Sequence, residues 1–102
     1  MGTDAGNGLG IDIGFEDRIT TIRVAGEVDV ATAPQLRECL HNVDGVVVVD
    51  LTEVTFLDST GLNVLVNARK RLLAVGGQLG LRNARAPVQR ILQVAGVDDW
   101  FD

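Results

Sequence analysis

Four consecutive valines, Val46–Val49, are the feature that most constrains the fold of this chain. A β-branched run of this length, followed by Asp50 and Leu51, predicts a central strand that is buried on both faces. Helical patterns lie on either side of the run, and strand–helix–strand units of this kind require parallel pairing with right-handed crossovers. The run therefore predicts an α/β protein.

The helix before the valine run is predicted to begin at Thr32. Thr32 and Gln35 have the spacing of a capping box, in which each side chain bonds a free backbone N–H group of the first turn. An apolar face then follows at helical spacing, formed by Leu36, Leu40 and Val43. Cys39 lies beside this face and is interpreted as a packing residue.

The second helix is predicted from about Ser59 to Val75 and is ended by Gly76 and Gly77. Its inward-facing residues are predicted to be Leu62, Leu65, Val66, Leu72 and Leu73. A strand containing Leu79 and Leu81 follows, and a last helix begins at Pro87. Beyond it, Trp100 and Phe101 are expected to pack back on the core.

The chain is predicted to begin with a flexible segment at residues 1–8 and to form a single folded domain from residue 9 to residue 102. Ile11, Ile13 and Phe15 alternate with smaller or polar residues, as in a strand with one buried face. A second strand is predicted to end at Gly26 and to form an antiparallel hairpin with the first. The expected fold is a small mixed sheet with helices packed mainly on one side.

Composition excludes several functional classes. The chain has 102 residues, one cysteine and one histidine, so neither an internal disulfide nor a closed zinc site is expected, and no metal or cofactor is predicted. The first ten residues do not have the pattern of a signal peptide, and no apolar stretch is long enough to span a bilayer. These features predict a cytoplasmic protein without membrane insertion.

Charge is distributed unevenly, although the net charge is −5. Between Ser59 and Val97 there is no Asp or Glu, and the same stretch carries Arg69, Lys70, Arg71, Arg82, Arg85 and Arg90. A nucleic-acid or membrane patch is one interpretation of this pattern. No aromatic residues are interleaved with these basic residues, so a solvated basic face or a basic surface that complements an acidic partner is favoured. No direct DNA binding is expected.

The segment Thr52–Gly61 is predicted to be a loop that joins the buried strand to the second helix. In open α/β sheets, this edge is where ligands and partners usually meet the fold. Asp58 or Ser59 could cap the free N–H groups of the helix, and spacing alone does not decide between a capping and a functional role for Ser59.

An enzymatic role for this segment is not favoured. Ser59 has no histidine base near it in sequence, and neither a Gly-x-Ser-x-Gly elbow nor a phosphate-binding loop is present. Paired carboxylates among Asp50, Glu53 and Asp58 remain open, although these residues fit strand-end and loop positions. The chain is therefore predicted not to be an enzyme.

Four segments resemble the STAS-domain anti-sigma factor antagonists, which are bacterial partner-switching regulators. Residues 25–38 resemble the start of that domain, and residues 49–62, with Asp58-Ser59-Thr60-Gly61, resemble its phosphorylation segment. Residues 76–81 resemble the following strand, and residues 87–101 resemble the last helix and tail. The resemblance covers nearly everything from Ile11 onward.

The resemblance implies a function in the regulation of transcription. The unphosphorylated antagonist is expected to bind an anti-sigma factor that is also a serine/threonine kinase, and so to free the sigma factor. Phosphorylation at Ser59, with Thr60 as the alternative position, is expected to end binding, and a phosphatase to reverse it. The residues expected to bind the partner are Glu27, Asp29, Asp58, Ser59, Thr60, Gly61 and Asn63.

Two further observations bear on this interpretation. Asn63 stands where the family often has Gly, which could alter the choice of partner. The alternative function is that of a STAS module in a membrane anion or lipid transport system. The intact Asp58-Ser59-Thr60-Gly61 sequence favours the antagonist, because a transporter module need not keep a phosphorylatable serine there.

Overall fold

The structure, a computed structural model, describes residues 8–97. The elements in chain order are β1 (Gly10–Glu16), β2 (Ile19–Val28), α1 (Ala33–His41), β3 (Val46–Leu57), α2 (Ser59–Ala74), β4 (Gln78–Arg82) and α3 (Ala86–Val94). The predicted flexible segment lies outside the described residues except for Gly8, and so does the predicted packing of Trp100 and Phe101.

The strands form one sheet in the order β1-β2-β3-β4. β1 and β2 are antiparallel and are joined by a two-residue turn, in which Asp17 and Arg18 both have positive φ. β3 pairs in parallel with β2 on one side and with β4 on the other. This arrangement confirms the predicted mixed sheet with a central β3.

One contiguous core joins one face of the sheet to all three helices. Val47, Val49 and Leu51 of β3 belong to this core. The buried helix residues that complete it include Leu36 and Leu40 of α1, Leu65 and Leu72 of α2, and Val88 and Leu92 of α3. The helices therefore pack on one side of the sheet, as the sequence predicted. Cys39 packs against the same core and is half-buried, which raises the pKa of its thiol.

Two predictions about buried faces are wrong. Ile13 and Phe15 were expected on a buried face of β1, but they are 54% and 74% exposed. They lie on the helix side of the sheet, yet no helix has an extensive contact with this outer strand. Leu73 was expected to face inward and is 50% exposed, because Leu72 occupies the inward position of that turn and is fully buried.

Three local predictions also need correction. The segment Thr52–Leu57 is not a loop, because β3 continues to Leu57 and pairs with β2 along this length. β2 likewise extends past Gly26 to Val28. The capping box is absent: the side chain of Thr32 donates to the carbonyl of Glu27, and the side chain of Gln35 bonds the backbone of Leu9.

Adjacent leucines of α2 test the orientation of this helix. Leu72→Ala should lower the free energy of unfolding by about 2–5 kcal/mol, because it leaves a cavity in the core. Leu73→Ala should lower it by less than about 1 kcal/mol, because that side chain is half in solvent. Chemical denaturation of both variants measures the difference. Equal losses would contradict the orientation described above.

Candidate functional site

The parallel strands β2 and β3 end side by side at one edge of the sheet. Val28, the last residue of β2, pairs with Leu57, the last residue of β3. The backbone N–H of Asp58 then donates to the carbonyl of Val28 at 3.1 Å, which extends the pairing by one step. The turn that precedes α1 and the turn that precedes α2 therefore lie side by side at the same edge of the sheet.

Asp58 is the N-cap of α2. Its Oδ1 accepts hydrogen bonds from the backbone N–H groups of Thr60, at 2.9 Å, and of Gly61, at 3.2 Å. The Thr60 hydroxyl donates to the same oxygen. The hydrogen bond from the Thr60 hydroxyl, together with the two backbone bonds, lowers the pKa of Asp58 below its ordinary value. Of the two residues that the sequence offered as the cap, Asp58 and Ser59, Asp58 therefore fills that position.

Ser59 is the first residue of α2, and its side chain is exposed. No hydrogen bond within residues 8–97 engages its hydroxyl. Thr60, by contrast, is half-buried and its hydroxyl is bound to Asp58. Asn63 is exposed and lies one turn after Ser59 on the same side of the helix.

Asp29 stabilises the turn that precedes α1, whose N-cap is Thr32. Its Oδ1 accepts from the backbone N–H groups of Ala31, at 3.0 Å, and of Thr32, at 3.1 Å. Asp29 directly follows Val28, whose carbonyl is bonded to Asp58, so the two aspartates are near each other. The sequence grouped Asp29 with Ser59 as residues expected to bind a partner, and it did not predict the hydrogen bonds of the Asp29 carboxylate.

Glu27 points to the face of the sheet that is opposite to the helices. It pairs with Phe56, and both side chains are exposed, whereas the next pair, Val28 and Leu57, is buried in the core. Phe56 is 46% exposed. It was not among the predicted site residues. β3 contains an extra residue at the register shift beside Gly26. This residue breaks the simple alternation of inward and outward side chains in β3, so the sequence pattern does not show that Phe56 points outward.

An open groove of about 510 Å³ runs from Ser59 towards α3. Leu62 lines it from α2, and Arg90, Ile91 and Val94 line it from α3. Val94 is 85% exposed. The sequence missed these α3 residues because α2 and α3 meet only in the folded chain, and Arg90 and Val94 lie off the apolar stripe that marks the buried face of α3.

The basic stretch does not form a continuous free patch. The guanidinium of Arg71 bonds the carbonyls of Leu40 and Val43, and Arg85 bonds the carbonyl of Thr52. Both arginines therefore connect elements of the fold. Across residues 8–97, no group of three or more His, Cys, Asp or Glu side chains could hold a metal ion.

Gly61 allows the start of α2 to approach the strand ends. A Cβ at this position would lie 2.5 Å from Cγ1 of Val28 and 2.7 Å from Cδ1 of Leu57, which is far inside normal contact. The glycine of this segment is therefore required by packing between α2 and the two strands.

The family model of the STAS domain matches residues 11–102. The chain belongs to the STAS domain family. A curated relative, the anti-sigma-B factor antagonist of Listeria monocytogenes, is 38% identical over 92% of this chain and 89% of its own length. The anti-sigma-B factor antagonist of Bacillus subtilis is 32% identical over the same shares.

Two solved structures share the fold of this STAS domain. An anti-sigma factor antagonist from Mycobacterium paratuberculosis superposes with a TM-score of 0.83 at 30% identity, covering 97% of this chain and 87% of that one. The antagonist SpoIIAA in its unphosphorylated form gives 0.79 at 22% identity, covering 91% and 86%. In the part of this STAS domain that the structure describes, no helix has the length and apolar character needed to cross a membrane.

Gly61→Ala should lower the free energy of unfolding by about 1–3 kcal/mol, because the methyl group forces Val28, Leu57 or α2 to shift. Gly14→Ala is the matched control, since a Cβ at Gly14 meets nothing within 4 Å. Thermal melts of both variants compare the two sites. A Gly61 variant as stable as the Gly14 variant would show that the approach of α2 is not tight.

The cap also predicts a dependence of stability on pH. Because folding lowers the pKa of Asp58, its contribution is fully present above the pKa of the unfolded chain, about 3.9, and is lost as the pH falls through the folded value. Asp58→Ala should thus destabilise the protein more at pH 7 than in strong acid. Asp58→Asn, which can cap without titrating, is the control. A destabilisation by Asp58→Ala that is independent of pH would contradict this account.

Proposed function

We propose that this protein is an anti-sigma factor antagonist that is switched by phosphorylation of Ser59. The observation that carries the proposal is the exposed and unbonded hydroxyl of Ser59, held at the start of a helix whose cap is supplied by Asp58. Relatives of at least 32% identity that match nearly the whole chain bear the antagonist name. That name favours the antagonist over the transporter module.

Ser59 is a better phosphate acceptor than Thr60 because of the way Asp58 is bonded. A kinase needs a hydroxyl that can turn towards its nucleotide, and the Ser59 hydroxyl is free to do so. The Thr60 hydroxyl would first have to leave the carboxylate of Asp58, and its side chain is half-buried. Phosphorylation of Thr60 would therefore also disturb the cap of α2.

The partner-binding surface in this proposal consists of Asp29, Asp58, Ser59, Thr60, Gly61 and Asn63, and it extends around the edge of the sheet to Glu27 on the face without helices. Its exposed groups are mainly polar or acidic, and an apolar groove opens beside Ser59. Asp29 and Asp58 act by holding the two turns in place, and Gly61 by allowing close packing. Ser59 and Asn63 are the side chains that a partner would meet directly on α2.

A phosphate on Ser59 would end binding through charge. It adds a charge of about −1.5 to −2 next to the carboxylate of Asp58, in a surface that a partner must dehydrate. The start of α2 itself tolerates a negative group, since the helix dipole and the free N–H groups favour anions there. The fold would thus survive the modification while the complex would not.

The partners that fit this switch are an anti-sigma factor with serine/threonine kinase activity and a phosphatase. The first would bind the unmodified surface and also modify it, and the second would restore the binding form. In this scheme the protein is a substrate and a ligand rather than an enzyme. It would act with its partners in the cytoplasm and would need no cofactor of its own.

Ser59→Ala and Ser59→Asp separate binding from folding. With a kinase-type anti-sigma factor, Ser59→Ala should bind within roughly threefold of the parent and accept no phosphate. Ser59→Asp should bind roughly tenfold or more weakly, because the added carboxylate lies beside Asp58. Both variants should keep the melting temperature of the parent to within a few degrees. Calorimetry, thermal melts and mass spectrometry of the phosphorylated site provide the measurements.

Asn67→Asp is the matched control for charge. Asn67 is exposed on α2 two turns beyond Ser59, so this variant adds a carboxylate to the same helix away from the proposed surface. It should bind the anti-sigma factor as the parent does. If Ser59→Asp binds as tightly as Asn67→Asp, or if the phosphate is found on Thr60 alone, the assignment of the switch to Ser59 is wrong.

A further inference from the structure

β1 is one of the two outer strands of the sheet formed by residues 8–97, and it carries exposed apolar side chains. Ile13 is 54% and Phe15 is 74% exposed, although both lie on the helix side of the sheet. An outer strand has one row of backbone N–H and C=O groups without a partner in the sheet, and it is a template for pairing with another strand. Most outer strands are protected by charges or by a covering element, and the outward-facing edge residues of β1 are apolar.

The turn between β1 and β2 determines which backbone groups face this edge. In a two-residue hairpin, the pair that flanks the turn exchanges both backbone hydrogen bonds, and such pairs then alternate along the strands. The flanking pair here is Glu16 with Ile19, so Gly14 and Asp12 also bond β2. The N–H and C=O groups that point to the open edge therefore belong to Ile11, Ile13 and Phe15.

We infer that β1 is a self-association surface and that its partner is β1 of a second copy of this chain, paired antiparallel about a twofold axis at Ile13. In this register Ile13 lies opposite Ile13 of the second copy, and Ile11 lies opposite Phe15. Each of these pairs uses the outward backbone groups and would exchange both of its hydrogen bonds. The apolar side chains also meet on one face, where they cover each other.

Charge selects this register over its neighbours. With the axis at Ile13, Asp12 lies opposite Gly14 of the second copy, and Glu16 lies opposite Gly10, so no like charges face each other. An axis at Asp12 would place two aspartates in direct opposition, and an axis at Gly14 would place Asp12 opposite Glu16, both of which are unfavourable. Asp12 also has an ion pair with Arg23 of its own sheet at 3.7 Å, which offsets its charge.

The association would leave the surface around Ser59 free. β1 is separated from β3 by β2, and Ser59 follows the end of β3. A twofold dimer of this kind therefore presents two copies of that surface. Because the contact would be limited to one strand of each copy, we expect reversible association rather than a permanent dimer.

Sedimentation velocity over a wide range of protein concentrations tests the association. The parent should pass from monomer to dimer as the concentration rises. Ile13→Pro should weaken dimerisation roughly tenfold or more, because it removes a backbone N–H group that faces the open edge. The same substitution breaks no hydrogen bond between β1 and β2. Leu73→Lys, at a side chain of similar exposure on α2, should dimerise as the parent does.

Disulfide crosslinking tests the register and does not depend on the tolerance of β1 for proline. In a Cys39→Ala background, Ile13→Cys should form a crosslinked dimer on oxidation, because the two Cα atoms would lie about 5.5 Å apart. Phe15→Cys should not, since the two Cα atoms would be about 14–15 Å apart. A parent that stays monomeric at every concentration, or equal crosslinking at both positions, would overturn the inference.

Discussion

The hydrogen bond from the backbone N–H of Asp58 to the carbonyl of Val28 is the interaction on which the proposed partner-binding surface depends. It continues the parallel pairing of β2 and β3 one residue beyond the strands. As a result, the starts of α1 and α2 have a fixed distance from each other. Together with the pairing of Val28 and Leu57, it brings the turn at Asp29 and the start of α2 to the same edge of the sheet.

Two aspartates stabilise this junction in the same way. Asp29 and Asp58 each follow the end of a parallel strand, and each accepts backbone N–H groups of the next turn with a single carboxylate oxygen. Since Asp58 provides the cap of α2, the Ser59 hydroxyl makes no hydrogen bond among residues 8–97, which leaves it open to the modification proposed above. A residue that both capped the helix and carried the phosphate could not change state without disturbing α2.

The two surfaces of the domain follow from its sheet order. The central strand β3 leads into Ser59, where helices, strand ends and the groove beside α3 converge. The outer strand β1 lies on the far side of β2, beyond any extensive helix contact, and keeps Ile13 and Phe15 in solvent. A partner at one surface and a second copy at the other would therefore not compete for the same residues.

The sequence by itself determined the central strand, the order of elements, the mixed sheet and the segment that contains Ser59. These follow from local patterns: the valine run, the helical spacing of leucines and the short turn at Asp17. The sequence did not predict that Thr52–Leu57 is strand, that Leu73 and Phe15 are exposed, or that Phe56, Arg90 and Val94 flank the site. Tertiary structure decided these points, because a residue becomes buried or exposed only when other elements do or do not cover it. The length of β3 and the choice of Asp58 as the cap likewise depend on Val28, which is distant in sequence and adjacent only in the folded sheet.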